Sequence, residues 1–232
     1  GLSCGGSLAV LVCPIADQGI DAGTLTRTAA QSRARETVCF ALNIHTGKIE
    51  PTLPIPADLT ESQIYNDTHF IFIQPPTARL IVVGGVHIAQ HLVPMARRIG
   101  LDVTLIDPRS AFANEARFIE CNIIADWPET ALKTMTLDAR TAMVTLTHDP
   151  KIDDDALIPA LYSDLFYIAA LGSRRTHEKR VERLSVAGCD ATRIARIHAP
   201  AGLDIGSKHP ADIAISILAE LIATRNGTRN KR

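Results

Sequence analysis

Several features that define other protein classes are missing from this 232-residue sequence. No apolar run approaches the ~20 residues of a membrane-spanning helix, and no secretory pattern is visible, so we expect a cytoplasmic protein. The net charge of -1 lacks the basic excess of a nucleic-acid-binding protein, so we expect no nucleic-acid partner. The five cysteines are scattered without a C-x-x-C pair, which disfavours structural zinc and a disulfide framework.

The segment 79–109 has the most informative local pattern in the chain. An apolar, partly β-branched run at 80–83 predicts a strand buried on both faces, and Gly84 and Gly85 end it. Apolar residues then recur at helical spacing, and 103–106 predicts a second buried strand. Together they predict a strand–helix–strand unit of the length found in mononucleotide-binding folds.

The turn after the first strand departs from the dinucleotide-binding fingerprint at one position. That fingerprint, G-x-G-x-x-G/A, fits Gly84 and Ala89, but Val86 stands where a middle glycine lets the backbone approach a pyrophosphate. Asp107 lies 23 positions after Gly84, close to where a ribose-binding carboxylate is expected. The pattern therefore predicts the fold more firmly than it predicts a dinucleotide ligand.

The whole chain predicts an α/β protein of two domains, 1–74 and 75–232. In the second domain strands alternate with helices, which implies a doubly wound parallel sheet of the Rossmann type. The first domain is smaller and strand-rich, and we expect further residues upstream of Gly1. Its predicted elements are a helix at 22–36 and strands at 8–12, 37–44 and 69–73.

Ligands of such a sheet bind beyond the carboxyl ends of its strands. Gly172, Ser173, Arg174 and Arg175 follow a predicted strand and begin a predicted helix. Ser173 is a favourable N-cap, but the helix dipole disfavours arginines at this end by a few tenths to ~1 kcal/mol each. A bound anion reverses the penalty, because free backbone N–H groups, the dipole and guanidinium groups together form a phosphate site. We therefore prefer an anion site to a solvated basic face.

Two other candidates have an ordinary structural explanation beside the functional one. We interpret Asp153, Asp154 and Asp155 as the start of a helix, whose dipole and free amides they satisfy, and not as metal ligands. His87 stands near the predicted phosphate edge. It either donates to an oxyanion, takes part in proton transfer or packs against the next loop.

The last candidates are at a strand end and in a glycine turn. His148 and Asp149 end a predicted strand at the ligand edge, where capping of a turn by Asp149 explains the pattern at least as well as chemistry does. Cys4 lies between small residues in a glycine turn, and it is either exposed and reactive or simply buried.

Several of these stretches resemble the XdhC/CoxI family, accessory proteins for the maturation of xanthine dehydrogenase and related molybdenum hydroxylases. The segment GLSCGGSLAVLV is similar to the family's cysteine-glycine-glycine motif, while LIVVGGVHIAQHL and VTLIDPRSAFANEARF resemble the start of its Rossmann domain. The longest similarity is carried by TLTHDPKIDDDALIPAL, YIAALGSRRTHEKRVERL and RIHAPAGLDIGSKHPADIAISILAEL. Together these stretches cover most of residues 80–224 and part of 1–14.

The resemblance implies a protein that binds molybdenum cofactor, a pterin dithiolene with a phosphate. It implies support of cofactor sulfuration, with a cysteine desulfurase as a further partner, and delivery to an apo-enzyme such as xanthine dehydrogenase. It makes Cys4 the candidate for cofactor or sulfur contact, and we also expect a homodimer. The patterns and the resemblance together predict these cofactor-binding residues: Cys4, Gly84, Gly85, His87, Asp107, His148, Gly172, Ser173, Arg174 and Arg175.

The chain departs from the family's usual motifs at a few positions. The family's turn usually has the form G-x-G-H-V-A, and here Val86 replaces its second glycine while His87 is kept. Ala9 and Cys13 stand where the N-terminal motif has glutamate.

An NAD(P)-dependent oxidoreductase is the alternative function, in which Asp107 would favour NAD by binding the ribose hydroxyls. Val86 and the lack of a recognisable hydride-transfer motif argue against it, and a nucleotide-binding regulator has no distinct mark in the sequence.

Overall fold

The computed structural model describes residues 10–15, 19–50, 55, 59–119 and 121–227. The chain separates into two compact units, with the division between Pro76 and Thr77. The described part of the predicted strand at 8–12 forms no strand, and its first two residues lie outside the described ranges. Within those ranges, no helix is both long and apolar enough to cross a membrane.

The first unit contains one helix and a small antiparallel sheet. Asp21 begins the helix by accepting a hydrogen bond from the Thr24 amide at 2.8 Å. The rings of Phe40 and Phe72 stack across neighbouring strands at 4.8 Å, which stabilises the sheet. The sheet order is β1–β3–β2, and its elements are α1 (Ala22–Arg33), β1 (Val38–Asn43), β2 (Gln63–Tyr65) and β3 (His69–Gln74). The sequence did not predict β2, because three largely exposed residues carry no alternating apolar pattern.

The second unit is a parallel six-stranded sheet in the order β6–β5–β4–β7–β8–β9. This is the strand order of a Rossmann fold, so the predicted fold class is confirmed. Only the four-residue helix α6 was not predicted. The elements are β4 (Arg79–Val83), α2 (His87–Arg98), β5 (Asp102–Ile106), β6 (Asn122–Ile124), α3 (Pro128–Lys133), β7 (Thr141–Thr145), α4 (Pro150–Leu161), β8 (Tyr167–Ala170), α5 (Arg174–Val186), α6 (Ala191–Ile194), β9 (Ile197–His198) and α7 (Pro210–Arg225).

The central strands are buried on both faces, as their continuous apolar sequences predict. Because successive side chains point to opposite faces, Leu80 and Val82 of β4 pack in the core that contains α2 and α7. Ile81 and Val83 pack in the other core, with α3, α4 and α5. The sheet is therefore the middle layer of three.

The strand order reverses between β4 and β7, which lie side by side at the centre of the sheet. The chain leaves β4 toward β5 on one side and later leaves β7 toward β8 on the other. A crevice opens at such a reversal, beyond the carboxyl ends of the strands. The residues that follow β4, β7 and β8 are therefore the ones positioned to meet a ligand.

Candidate functional site

A polar cleft of about 280 Å³ lies beyond the carboxyl ends of β7 and β8. It brings together three residues predicted from the sequence, namely His148, Ser173 and Arg175. It leaves out Arg174, although that residue is the immediate neighbour of Arg175. The lining residues are His148, Pro150, Asp153, Ser173, Arg175, Thr176, Lys179, Arg180 and Arg183.

The N-terminus of α5 forms one wall of this cleft. Gly172 has φ +132°, a backbone conformation that favours glycine, and the chain turns there from β8 into the helix. Ser173 caps the helix, since its Oγ accepts a hydrogen bond from the Thr176 amide at 3.2 Å. No acidic residue lies in the first turn of α5, so its dipole is not offset by a side chain there.

Arg180 carries a guanidinium group that is almost completely buried beside the cleft. Its side chain is 2% exposed, and Nη2 donates to the Leu171 carbonyl at 2.9 Å. Its Nε and Nη1 are buried and find no hydrogen-bond partner among the described residues. Burial lowers the pKa of Arg180, while the carboxylates of Asp153 and Asp154 oppose this shift. Nε carries one N–H bond and Nη1 carries two, so three N–H bonds of a buried cation lack partners. This is costly, and an anion that reached them would satisfy them.

Asp153 faces the cleft, and it lies in the first turn of α4, as predicted, although it does not cap the helix. The helix α4 begins at Pro150, where Asp149 is the N-cap and accepts a hydrogen bond from the Lys151 amide at 3.0 Å. Asp153 therefore is the fourth residue of the helix, at the end of its first turn and on its inward side, with a side chain that is 2% exposed. The sequence prediction placed the first helical residue three positions too late, so it missed the cap at Asp149 and the burial of Asp153.

The Asp153 carboxylate forms few hydrogen bonds for so deeply buried a group. Its Oδ1 accepts from the Thr147 hydroxyl at 2.7 Å and from the Thr147 amide at 3.4 Å. Its Oδ2 lies 3.9 Å from Nη2 of Arg180, beyond hydrogen-bond distance. Burial raises the pKa of Asp153, although Thr147, Arg180 and His148 all act in the opposite direction. The cleft thus combines several cations with one buried carboxylate.

The remaining cations of the cleft differ in how they are paired. Arg183 is bound to Asp154, with Nε and Nη2 at 2.5 Å and 3.1 Å from its two carboxylate oxygens. Arg175 and Lys179 are exposed and form no ion pair with any described residue. These two side chains are therefore available to an anion that enters the cleft, while Arg183 is already engaged.

The turn after β4 is built around a second buried carboxylate. Asp107 is 0% exposed, and its Oδ2 accepts from the Gly85 amide at 2.9 Å and from Nη2 of Arg109 at 2.7 Å. Its Oδ1 accepts from the backbone amide and Nε of Arg109, at 3.0 Å and 2.8 Å. Burial alone would raise the pKa of Asp107, but the bonds from Arg109 and Gly85 outweigh it and hold the pKa below its ordinary value. Both oxygens are thus engaged within the protein, which leaves a ribose without its usual acceptor.

The two glycines of this turn are required by close packing. A Cβ added to Gly84, which has φ +108°, would lie 2.6 Å from Cγ2 of Thr147. A Cβ added to Gly85 would lie 2.5 Å from the Phe112 carbonyl oxygen. Since Thr147 also donates to Asp153, the turn after β4 is connected to the cleft through one threonine.

The substitution Gly85→Ala is expected to lower the free energy of unfolding by about 1–3 kcal/mol, because its methyl group overlaps a backbone carbonyl that cannot rotate away. Urea denaturation of the two proteins measures the change. Gly100→Ala is the control, since Gly100 has φ +83° but open space around its Cβ position, so only backbone strain of about 1 kcal/mol is added. An equal loss in both variants would contradict the packing argument.

Similarity to a known protein family identifies the second unit. The model of the XdhC Rossmann domain matches residues 80–221, which is more than half of the chain. The chain belongs to this family. The match extends from β4 to α7 and includes every residue that lines the cleft.

Two curated relatives and one solved structure have similar sequences or folds. The chain is 32% identical over 165 residues to a probable subunit of xanthine dehydrogenase from Bacillus subtilis (strain 168), covering 69% of this chain and 48% of the relative. It is 29% identical over 152 residues to the molybdenum cofactor insertion chaperone PaoD of Escherichia coli (strain K12), covering 65% and 41%. A crystal structure of a protein described as a xanthine dehydrogenase from Bacillus halodurans superposes with a TM-score of 0.69 at 21% identity, covering 91% of this chain and 67% of the other. The chain therefore spans less than half the length of these two curated relatives.

Several predicted positions of this XdhC domain lie away from the cleft. His87 begins α2 and is exposed, and Arg174 is exposed outside the lining. Gly84 and Gly85 belong to the turn after β4, and Asp107 follows β5 and binds that turn through the Gly85 amide. Cys4 lies outside the described residues, so its contacts are not part of the site described above.

Sequence reasoning missed the two most deeply buried charges of the XdhC cleft. Arg180 was not singled out from the sequence, yet Arg180 and Leu184 are spaced by four and are the two buried residues of α5. For Asp153 the signal was the Asp149-Pro150 pair, a typical N-cap and first helical residue. With that start, Asp153 lies in the inward stripe with Ile152, Ala156 and Leu157.

Two further observations limit the chemistry of the described residues. The described residues contain no group of three or more histidine, cysteine, aspartate or glutamate side chains placed to hold a metal ion. A larger cavity of about 1050 Å³ lies in the first unit, and the described residues that line it carry no charged side chain. The cleft of the XdhC domain is thus the better candidate for an anionic ligand.

Proposed function

We propose that this chain binds molybdenum cofactor and supports its delivery to a molybdenum hydroxylase of the xanthine dehydrogenase type. The names of two relatives support the proposal, a molybdenum cofactor insertion chaperone and a probable subunit of xanthine dehydrogenase. The observation that carries it is the buried Arg180 guanidinium, whose Nε and Nη1 have no partner among the described residues. The cofactor is cargo in this proposal, and the chain holds it without a turnover of its own.

The cleft suits the phosphate end of the cofactor. At about 280 Å³ it is at the lower limit of small-molecule pockets, so it holds one end of a larger ligand. The free amides and the dipole of α5 favour a phosphate, and Arg175 and Lys179 add charge-assisted hydrogen bonds. Arg180 supplies the buried contact. The pterin dithiolene then extends out of the cleft.

Support of sulfuration is the finer part of the proposal. It rests on Cys4, which matches the cysteine of the family's N-terminal motif, and on a cysteine desulfurase as the sulfur source. A thiol is a suitable group for contact with a molybdenum centre or a transferred sulfur, because the thiolate is both a nucleophile and a soft ligand.

An NAD(P)-dependent oxidoreductase is the alternative function. The Rossmann strand order favours it, because this topology places a dinucleotide across the reversal between β4 and β7. Two side chains oppose it. Val86 occupies the middle glycine position of the fingerprint, and Asp107 has both oxygens engaged by Gly85 and Arg109. We therefore prefer the carrier function.

Arg175→Ala is expected to weaken binding of molybdenum cofactor by about tenfold or more, the effect of losing one hydrogen bond between charged groups. Purified chain titrated with isolated cofactor, followed by its absorbance, measures the change. Arg174→Ala is a matched control, because it removes the same charge one residue away without removing a residue that lines the cleft. Equal losses in both variants would contradict the assignment of the cleft, and no binding by the unmodified chain would overturn the proposed function.

A further inference from the structure

The cleft contains an unusual partner for an anion, the buried carboxylate of Asp153. Its side chain and that of Arg180 are each 2% exposed, yet their closest atoms, Oδ2 and Nη2, are 3.9 Å apart. Oδ2 receives no hydrogen bond from the part of the chain that the structure describes, while Oδ1 is engaged by Thr147. Two residues that line the same cleft thus have polar atoms without partners, namely Oδ2 of Asp153 and the Nε and Nη1 nitrogens of Arg180.

The charges around Asp153 come from several elements. Arg180 and Arg183 face it from α5, His148 from the loop after β7, and Arg109 from the segment after β5. Asp154 on the same helix is bound to Arg183. The surroundings are therefore mainly cationic, so an oxyanion can enter despite the carboxylate. An oxygen of that anion placed near Oδ2 is nevertheless repelled unless a proton lies between them.

We propose that this cleft selects a terminal phosphate monoester, an oxyanion that carries a proton, over fully ionised oxyanions. One proton is shared between Oδ2 of Asp153 and a phosphate oxygen, and Nε and Nη1 of Arg180 donate to the other oxygens. The atoms of Asp153 and Arg180 that lack partners among the described residues are then satisfied together. A phosphate monoester has its second pKa near 6, so it can supply this proton near neutral pH. Sulfate is fully ionised there, and a phosphodiester or the pyrophosphate bridge of a dinucleotide has no such proton to supply.

This preference for a phosphate monoester deepens the proposed function. It rests on that function for the identity of the bound molecule, molybdenum cofactor, whose phosphate is a monoester. It also supplies a physical reason for preferring the carrier function to a dinucleotide enzyme. The proton-sharing argument itself depends only on Asp153, Arg180 and Thr147, so it can be tested without the cofactor.

The test compares inorganic phosphate with sulfate, and methyl phosphate with dimethyl phosphate, as ligands of the full chain. Isothermal titration calorimetry at pH 6.5 and constant ionic strength gives the affinities. We expect phosphate and methyl phosphate to bind about tenfold or more tightly than sulfate and dimethyl phosphate, as one charge-assisted hydrogen bond requires. Asp153→Asn is expected to bring the phosphate-to-sulfate ratio close to one, because the amide can donate to either anion.

The control is Asp155→Asn, which removes a charge from the same helix outside the cleft lining and should keep the preference. Equal affinity for the two classes of anion in the unmodified chain would overturn the proposal, and so would a preference that survives in Asp153→Asn. The comparison in the unmodified chain decides the matter even if Asp153→Asn does not fold. Selectivity without cofactor binding would refute only the proposed function, whereas cofactor binding without selectivity would refute only this inference.

Discussion

Glu220→Ala is expected to lower the free energy of unfolding by about 3–5 kcal/mol, because it leaves several buried donors without an acceptor. Glu220 is 1% exposed, and its Oε2 accepts from the Tyr167 hydroxyl at 2.9 Å and from the Gly202 amide at 2.8 Å. Its Oε1 lies 3.1 Å from Nδ1 of His198. One carboxylate thereby connects α7, β8, β9 and the loop that follows β9.

Glu220→Gln is the matched comparison for that loss. Its amide oxygen can still accept from Gly202 or Tyr167, and its amide nitrogen can donate to His198, so shape and most hydrogen bonds are kept. We expect a loss of about 1–2 kcal/mol, well below that of the alanine variant. Urea denaturation of the three proteins at pH 7 measures both values. Equal losses in the glutamine and alanine variants would show that the negative charge, and not the hydrogen-bond set, stabilises the fold.

The difference in stability between the unmodified protein and the glutamine variant should also depend on pH. Burial alone would raise the pKa of Glu220, but the bonds from His198, Gly202 and Tyr167 outweigh it and hold the pKa below its ordinary value. A carboxyl with a depressed folded-state pKa stabilises the protein above its unfolded pKa of about 4.3, and this contribution is lost as the pH falls through the folded value. The stability difference between unmodified protein and Glu220→Gln should therefore shrink as the pH falls below about 5. A difference that stays constant down to pH 3 would contradict this account.

Asp107→Ala is expected to lower the free energy of unfolding by about 3 kcal/mol. The substitution leaves the Gly85 amide without its acceptor and removes the carboxylate that holds the Arg109 side chain. Because this carboxylate fixes the turn after β4, the loss should include local opening of that turn. Hydrogen–deuterium exchange should show faster exchange of the Gly85 amide, beyond the change in global stability.

The control for this substitution is Asp102→Ala, at the other end of β5. Asp102 is exposed at the start of β5, whereas Asp107 is buried just beyond its end. A surface substitution of this kind usually changes stability by less than about 0.5 kcal/mol. If Asp107→Ala cost no more than the control, Asp107 would not be the structural centre of the turn, and its carboxylate would be free for a ligand.

Much of the XdhC Rossmann domain could be predicted from local patterns. The strands β4, β5, β7 and β8 are rich in apolar residues, interrupted only by threonine within their buried parts, because they are covered on both faces, and such runs are visible in the sequence. Gly84 and Gly172 marked the turns at the ligand edge, and both have positive φ angles. The short elements β2 and α6 were missed, because three or four residues are too few to show a period.

The candidate site was predicted only in part. Ser173 and Arg175 were recognised because capping and the helix dipole act within one turn, which is a local effect. The burial of Asp153 and of Arg180 was not predicted, because it depends on the element packed against each residue. Asp107 was singled out by its spacing as a ligand-binding residue, but its hydrogen bonds to Gly85 and Arg109 could not be read from that spacing.

By itself, the sequence determined the order of strands and helices and the edge of the sheet at which polar residues emerge. Those properties follow from apolar periodicity and from glycine conformations, which each segment carries alone. Only the tertiary structure decided which of those polar residues share a cleft, since Asp153 and Arg180 lie on different helices and meet through packing against β7 and β8. It also decided which charges lack partners, because desolvation and hydrogen bonding depend on every neighbour in space.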